Sequence, residues 1–166
     1  MRRLFCALAA LLIAAPALAQ EPVGCDKFKF NLDQERALLN GDDVANVKTG
    51  DSAPLSRALS VALVPFASAG LPVAPERPPK SASSFAGFVR FAAVPQPGSY
   101  KVTVSDVAWI DVVQDGALQK SSAFSGALGC PGVRKSVIFP LNAAPFTVEI
   151  SGVTAPSIRL AVTPAP

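Results

Sequence analysis

Histidine is absent from this sequence, and its absence excludes most of the common catalytic machinery. Without imidazole the chain cannot form a Ser-His-Asp or Cys-His nucleophile, and zinc and non-haem iron lose their usual ligands. No G-x-S-x-G elbow, phosphate-cradling glycine loop or S-x-x-K motif takes its place. We therefore expect no catalytic residue, no metal site and no cofactor. The residues favour a binding protein over an enzyme, but they do not exclude an enzyme.

The sequence also lacks an apolar run long enough to span a membrane. The apolar stretch at residues 4–15 is shorter than the roughly 20 residues that a membrane-spanning helix needs. It follows Arg2 and Arg3 and precedes the small residues at 17–19, an order typical of a secretory signal peptide with its cleavage site. We expect residues 1–19 to be removed, leaving a periplasmic or secreted protein with no transmembrane segment.

Strong charge of either sign is missing as well. The chain carries 15 Lys and Arg against 12 Asp and Glu, a net charge of +3. Removal of Arg2 and Arg3 leaves 13 basic against 12 acidic residues, a net charge of +1. A nearly neutral surface gives no electrostatic reason to expect nucleic acid as a partner.

Cysteine is scarce, and its number is informative. After signal removal two cysteines remain, Cys25 and Cys130. In an oxidising compartment such a pair predicts one disulfide. Two free thiols or a redox-cycling pair are the alternatives, although no C-x-x-C motif supports redox work.

Short segments of alternating polarity dominate the rest of the chain. They predict strands at residues 58–64, 85–91, 100–105, 108–113, 133–141, 146–152 and 158–163. Asp115-Gly116 indicates a tight hairpin, and Gly152 is expected to end its strand. Asn31 predicts the cap of a short helix that ends at a left-handed Gly41. The sequence thus predicts a mainly β protein, an antiparallel β-sandwich or jelly roll with one short N-terminal helix.

A proline-rich connector at about residues 65–80 interrupts these strands. Its prolines forbid regular ladder pairing, so we expect a loop that crosses one end of the domain. We do not expect a domain boundary there, and residues 20–166 are predicted to form a single β-sandwich domain.

Five residues are candidates for ligand binding. Trp109 and Asp111 are two residues apart on a predicted strand and therefore share one face; an aromatic ring beside a carboxylate is typical of sugar-binding surfaces. The interpretation that we favour, however, is that both faces of the sheet are covered and Trp109 is buried in the core. Asp115 belongs to an acidic cluster near strand ends, where Asp also commonly stabilises turns. Arg134 and Lys135 offer charge to an anionic ligand or simply begin a solvated strand.

Several blocks resemble a family of small exported bacterial β-sandwich proteins of unknown function. The blocks are residues 85–91, 108–116, 123–126, 130–132, 134–136 and 145–152. Some members are labelled homogentisate 1,2-dioxygenase, a label that implies iron held by two histidines and a glutamate. No such ligand position can be carried over to a chain without histidine.

A second resemblance is at the level of pattern. Residues 100–105 and 146–152 are similar to bacterial pre-peptidase C-terminal domains, which are non-catalytic jelly-roll modules attached to secreted enzymes. We therefore expect an exported, non-catalytic binding or envelope-accessory protein whose partner is a carbohydrate or an envelope protein. The alternatives are the dioxygenase that the family label implies and a carbohydrate-binding module that uses Trp109.

Overall fold

Two facing β-sheets form the body of the protein. The computed structural model describes residues 20–165, and the predicted signal peptide at residues 1–19 lies outside the described residues. Sheet I contains, in spatial order, β1 (Val44–Lys48), β3 (Ala58–Ala62), β12 (Ser157–Pro164), β6 (Gly98–Val104), β10 (Lys135–Leu141) and β9 (Ala123–Gly126). Sheet II contains β2 (Ser52–Ala53), β5 (Phe85–Phe91), β11 (Phe146–Val153), β7 (Trp109–Gln114) and β8 (Ala117–Leu118), and β4 (Val64–Pro65) also pairs with β5. The mainly β, sandwich-like architecture is as predicted.

The main core lies between the inner faces of the two sheets. Tyr100, Val102 and Val104 of β6 are buried on one face, as their alternation predicts. Val148 and Ile150 of β11 belong to the same apolar cluster. Because side chains alternate across a strand, the intervening residues point to the outer faces, where function can be carried.

Both sheets are mixed, since two short edge strands run parallel to their neighbours. β1 pairs in parallel with β3, and β2 pairs in parallel with β5. All other strand pairs along the two sheets are antiparallel. The sequence gives little sign of β1 and β2, because these strands are short and only partly buried.

The one α-helix of residues 20–165, α1 (Asp33–Asn40), begins one residue later than predicted: its N-cap is Leu32, which makes no side-chain capping hydrogen bond, and not Asn31. The side-chain oxygen of Asn31 accepts a hydrogen bond from the Asp33 amide at 2.9 Å. The prediction that Gly41 adopts a left-handed conformation is wrong: its φ is −72° and its backbone is extended. The chain leaves the helix directly towards β1, so no left-handed reversal is needed.

Of the two predictions made for glycines at strand ends, the Asp115-Gly116 hairpin turn is confirmed and the end of a strand at Gly152 is wrong. At the β7–β8 hairpin, Asp115 (φ 56°) and Gly116 (φ 76°) both adopt positive φ, as a type I′ turn requires. Gly152 does not end its strand. It has φ 72° and lies in a bulge of β11, where the register with β5 shifts between Ile150 and Val153. A glycine can adopt this backbone, so the strand continues beyond it.

A different segment covers the outer face of each sheet. Helix α1 packs on sheet I, where Lys101 and the buried Glu35 form an ion pair at 2.8 Å. The predicted Cys25–Cys130 disulfide is present and ties the N-terminal segment to the loop before β10. On sheet II the cover is the connector between β4 and β5 (residues 66–84). It crosses the outer face of the sheet, rather than one end of the domain, and so forms one wall of the candidate site.

No helix among residues 20–165 combines the length and apolar character that crossing a bilayer requires.

Candidate functional site

Trp109 lies on the outer face of sheet II, at the first position of β7. Ala108, Ile110 and Val112 contribute to the core, and this places Trp109 and Asp111 on the opposite face. The indole N–H of Trp109 donates a hydrogen bond to Asp111 Oδ1 at 2.9 Å. The two residues therefore share a face, and Trp109 is half-buried beneath neighbouring segments rather than part of the central core.

Two cations from different parts of the chain lie over the Trp109 ring. Arg77 of the connector places Cζ 4.7 Å from the ring centroid, and Lys135, the first residue of β10, places Nζ at 4.9 Å. Lys135 Nζ also donates to the Ala108 carbonyl at 3.1 Å. A cation near an aromatic face is attracted by the ring quadrupole. The connector, β7 and β10 thus converge on one indole.

Burial has the largest effect on the pKa of Lys135, and the Asp111 carboxylate has the next largest. Burial lowers the pKa of Lys135, the nearby Asp111 carboxylate opposes that shift, and Arg134 and Arg77 add to it. The cationic groups are therefore close enough to repel one another. An anion placed among them would relieve that repulsion.

A pair of buried carboxyl groups underlies the connector. Asp111 of β7 and Glu149 of β11 are directly opposite in the strand register. Asp111 Oδ2 accepts the Glu76 amide at 3.2 Å, and Glu149 Oε1 accepts the Val73 amide at 2.9 Å. Burial raises the pKa of both carboxyl groups, and the Asp111 carboxylate further raises that of Glu149. The pair fastens the connector to the sheet.

The remaining two sequence candidates do not join this cluster directly. Arg134 forms an ion pair with Glu21 near the N-terminus of the described chain. Asp115 occupies the β7–β8 hairpin and lines a separate, shallow depression beside Arg90. Its place in a positive-φ turn accounts for its occurrence there.

The converging residues open onto a cleft of about 620 Å³. We name it the Trp109 cleft; it lies between the connector, the start of β7 and the start of β10. Its wall contains Trp109, three cations and three serines: Arg77, Lys80, Lys135, Ser81, Ser83 and Ser84. Glu21 is the acidic residue in this wall. A smaller pocket of about 220 Å³ adjoins it between the sheets, beside Asp111 and Phe124.

Sequence reasoning missed Arg77, Lys80 and Ser84, because they lie in the connector. These residues are far from Trp109 along the chain, and they come close to it in space only because the connector crosses sheet II. The proline content of the connector signals irregular backbone but not its direction. Glu149 was also missed, since alternation alone predicts a solvated position there rather than a covered one.

The site does not fit the iron of a dioxygenase. Imidazole ligands are missing from the whole sequence, and residues 20–165 contain no group of three Cys, Asp or Glu side chains placed to hold a metal ion. The cleft residues present cations, hydroxyl groups and an indole ring to a ligand.

Comparison with protein-family models and with curated proteins found no match to this chain.

Proposed function

We propose that the protein is an exported, non-catalytic β-sandwich that binds a ligand in the Trp109 cleft. The observation that carries the proposal is the convergence of Arg77, Lys80 and Lys135 on one cleft. None of the three forms an ion pair within the described part of the chain. The signal-peptide pattern and the cysteine pair support export.

The energetics of these cations support a binding role over a purely structural one. Lys135 is partly desolvated and its pKa is lowered by burial. Grouping like charges at a partly buried site costs stability unless an opposite charge joins them. A fold tolerates such local costs at sites where a ligand compensates for them.

The dimensions of the cleft support a small ligand. Its volume of about 620 Å³ lies within the roughly 300–1,000 Å³ of small-molecule sites. Neutral sugar stacking, which needs an accessible ring face, receives less support because Arg77 and Lys135 lie over the indole. Binding of a neutral carbohydrate at Trp109 stays a prediction that the experiment below also tests.

The test is a thermal-shift panel on the exported protein. The panel contains acidic sugars, neutral sugars, phosphates and short peptides. We expect one class to raise Tm by roughly 5–10 °C, since ligand at about 100 times Kd adds about 2.7 kcal/mol, and a domain of this size gains about 2–4 °C for each kcal/mol. The shift should shrink in Arg77→Gln and persist in Lys48→Gln, which removes an exposed cation on β1.

Two results would contradict the proposal. The first is a panel in which no ligand shifts Tm, or in which the shift is the same in Arg77→Gln as in the parent protein. The second is ring cleavage of homogentisate in the presence of ferrous iron, abolished by a chelator, because that would identify an enzyme.

A further inference from the structure

Positive charge in the Trp109 cleft exceeds negative charge. Arg77, Lys80 and Lys135 line it, and Glu21 is the acidic residue in its wall. Glu21 is already engaged by Arg134 in an ion pair. The charge available to a ligand in the cleft is therefore cationic.

The hydrogen-bonding groups of the wall are mainly donors. Ser81 and Ser83 join their hydroxyl groups at 2.9 Å at the rim. The indole N–H of Trp109 is already bonded to Asp111. Guanidinium and ammonium groups donate and do not accept. The cationic side chains therefore need acceptor atoms from a ligand, whereas the serine hydroxyls can either donate to it or accept from it.

One buried donor in the wall has no partner. Ser84 is only 5 % exposed, and its Oγ lacks a hydrogen-bond partner within the described structure. Ser84 belongs to the wall of the cleft. A buried hydroxyl without a partner costs free energy, so a group that bonds it on binding gains affinity. This orphan is independent of the cation cluster and belongs to a residue in the wall of the same cleft.

A neighbouring depression adjoins the cleft. It has a volume of about 340 Å³ and shares Glu21, Val107, Ala108 and Lys135 with the Trp109 cleft. Arg134 lines it and pairs with Glu21, while the Arg134 Nε is buried without a hydrogen-bond partner in the described residues. Within the part of the chain that the structure describes, Lys135 therefore remains the cation without an ion-pair partner at the start of β10.

We infer that the ligand of the Trp109 cleft carries an oxyanion, a carboxylate or phosphate group, on a hydroxylated small molecule. This inference rests on the proposed binding function and specifies its chemistry. Arginine and lysine bind carboxylate and phosphate oxygens through charge-assisted hydrogen bonds. The serine hydroxyls and the Ser84 donor suit the remaining oxygens of such a molecule. Binding is by charge and hydrogen bonds, with no covalent step.

Isothermal titration with four probes tests the inference. The probes are inorganic phosphate, glucose 6-phosphate, glucuronate and glucose. We expect at least one of the three anions to bind and glucose not to bind. Comparing the affinities for phosphate and glucuronate shows whether the site prefers a phosphate or a carboxylate group. Comparing phosphate with glucose 6-phosphate shows whether the sugar hydroxyl groups add to the affinity. Affinity should fall as salt rises, because exposed charges are screened.

Charge-neutral variants locate the site. Arg77 and Lys80 are exposed, so Arg77→Gln and Lys80→Gln should fold normally, and each should weaken anion binding about 10-fold. Lys48→Gln on β1, also exposed, should leave the affinity unchanged and serves as the matched control.

Ser84→Ala separates binding from folding. It removes a buried hydroxyl that has no partner, so the variant should be no less stable than the parent. Its affinity for the bound anion should nevertheless fall several-fold. A purely structural Ser84 would give the reverse, reduced stability with unchanged affinity, and would count against the inference.

The inference and the proposed function can fail separately. Binding of glucose, or of another uncharged member of the thermal-shift panel, with no anion binding would overturn the oxyanion and retain the binding role. Anion binding of equal strength in the parent, Arg77→Gln and Lys80→Gln would place the anion elsewhere and overturn the inference. Absence of binding by all three anions would overturn it as well.

Discussion

At the scale of single residues, alternation along β7 decides the orientation of Trp109. Ile110 and Val112 are apolar and enter the core, which leaves Trp109 and Asp111 on the outer face. That shared face is predictable from the sequence because side chains alternate strictly in a strand. What covers the face is not predictable, since Arg77 arrives from another part of the chain.

The buried Glu149 carboxyl gives a pH-dependent stability. Burial raises its pKa above the ordinary value of 4.5, so the folded protein holds this proton more tightly than the unfolded chain. The resulting stabilisation is complete below pH 4.5 and is lost as the pH rises through the raised pKa. Glu149→Gln, which removes the charge and keeps an acceptor for Val73, should be at least as stable as the parent at pH 7.

The difference between the two proteins should then narrow as the pH falls from 7 towards 4.5. Urea unfolding at several pH values measures it, with Asp42→Asn at an exposed position as the control for loss of a surface carboxylate. A difference that is constant over this range, or that widens as the pH falls, would show that burial does not govern this carboxyl.

At the scale of elements, strong strand patterns are predictable and weak edges are not. β5, β6, β10 and β12 follow their apolar patterns closely. β1 and β2 escape prediction because edge strands bury little apolar surface. The path of the connector depends on hydrogen bonds to Asp111 and Glu149 that are remote in sequence.

The connector should loosen when one of its attachments is removed. The Val73 amide donates to Glu149 Oε1 at 2.9 Å, so Glu149→Ala should accelerate hydrogen exchange at Val73. Glu149→Gln keeps an acceptor oxygen and should preserve the protection, which makes it the matched control. Equal exchange at Val73 in the parent and in Glu149→Ala would mean that the carboxylate does not hold the connector. Amide exchange followed by NMR resolves this residue.

At the scale of the whole molecule, one covalent link joins distant parts of the chain. The Cys25–Cys130 disulfide spans 105 residues and lies beside the small apolar cluster beneath α1. The cysteine count predicts the pairing because only two cysteines follow the signal pattern. The sequence does not predict that this disulfide holds the N-terminal segment against sheet I, because that depends on the path of the chain in the fold.

Removing the disulfide should destabilise the protein substantially. A disulfide that closes a loop of this length restricts the unfolded chain and adds about 2–5 kcal/mol to the free energy of unfolding. The variant with both Cys25→Ser and Cys130→Ser should therefore unfold at clearly lower urea concentration. Intact mass of the protein isolated from its producing cells should show the pair joined, and, if the signal pattern is cleaved as we propose, the chain beginning at Gln20. Two alkylatable thiols without reduction, or an unchanged unfolding midpoint in the double variant, would contradict this account.

The measurement that tests the central claim most directly is the fluorescence of Trp109, the only tryptophan in the chain. Its ring lies in the wall of the proposed site, beneath Arg77 and Lys135. Titration with the anion that binds best, at constant ionic strength, should give a saturable change that is weakened in Arg77→Gln and retained in Lys48→Gln. An emission spectrum that does not change while calorimetry records binding would place the ligand elsewhere and contradict the account.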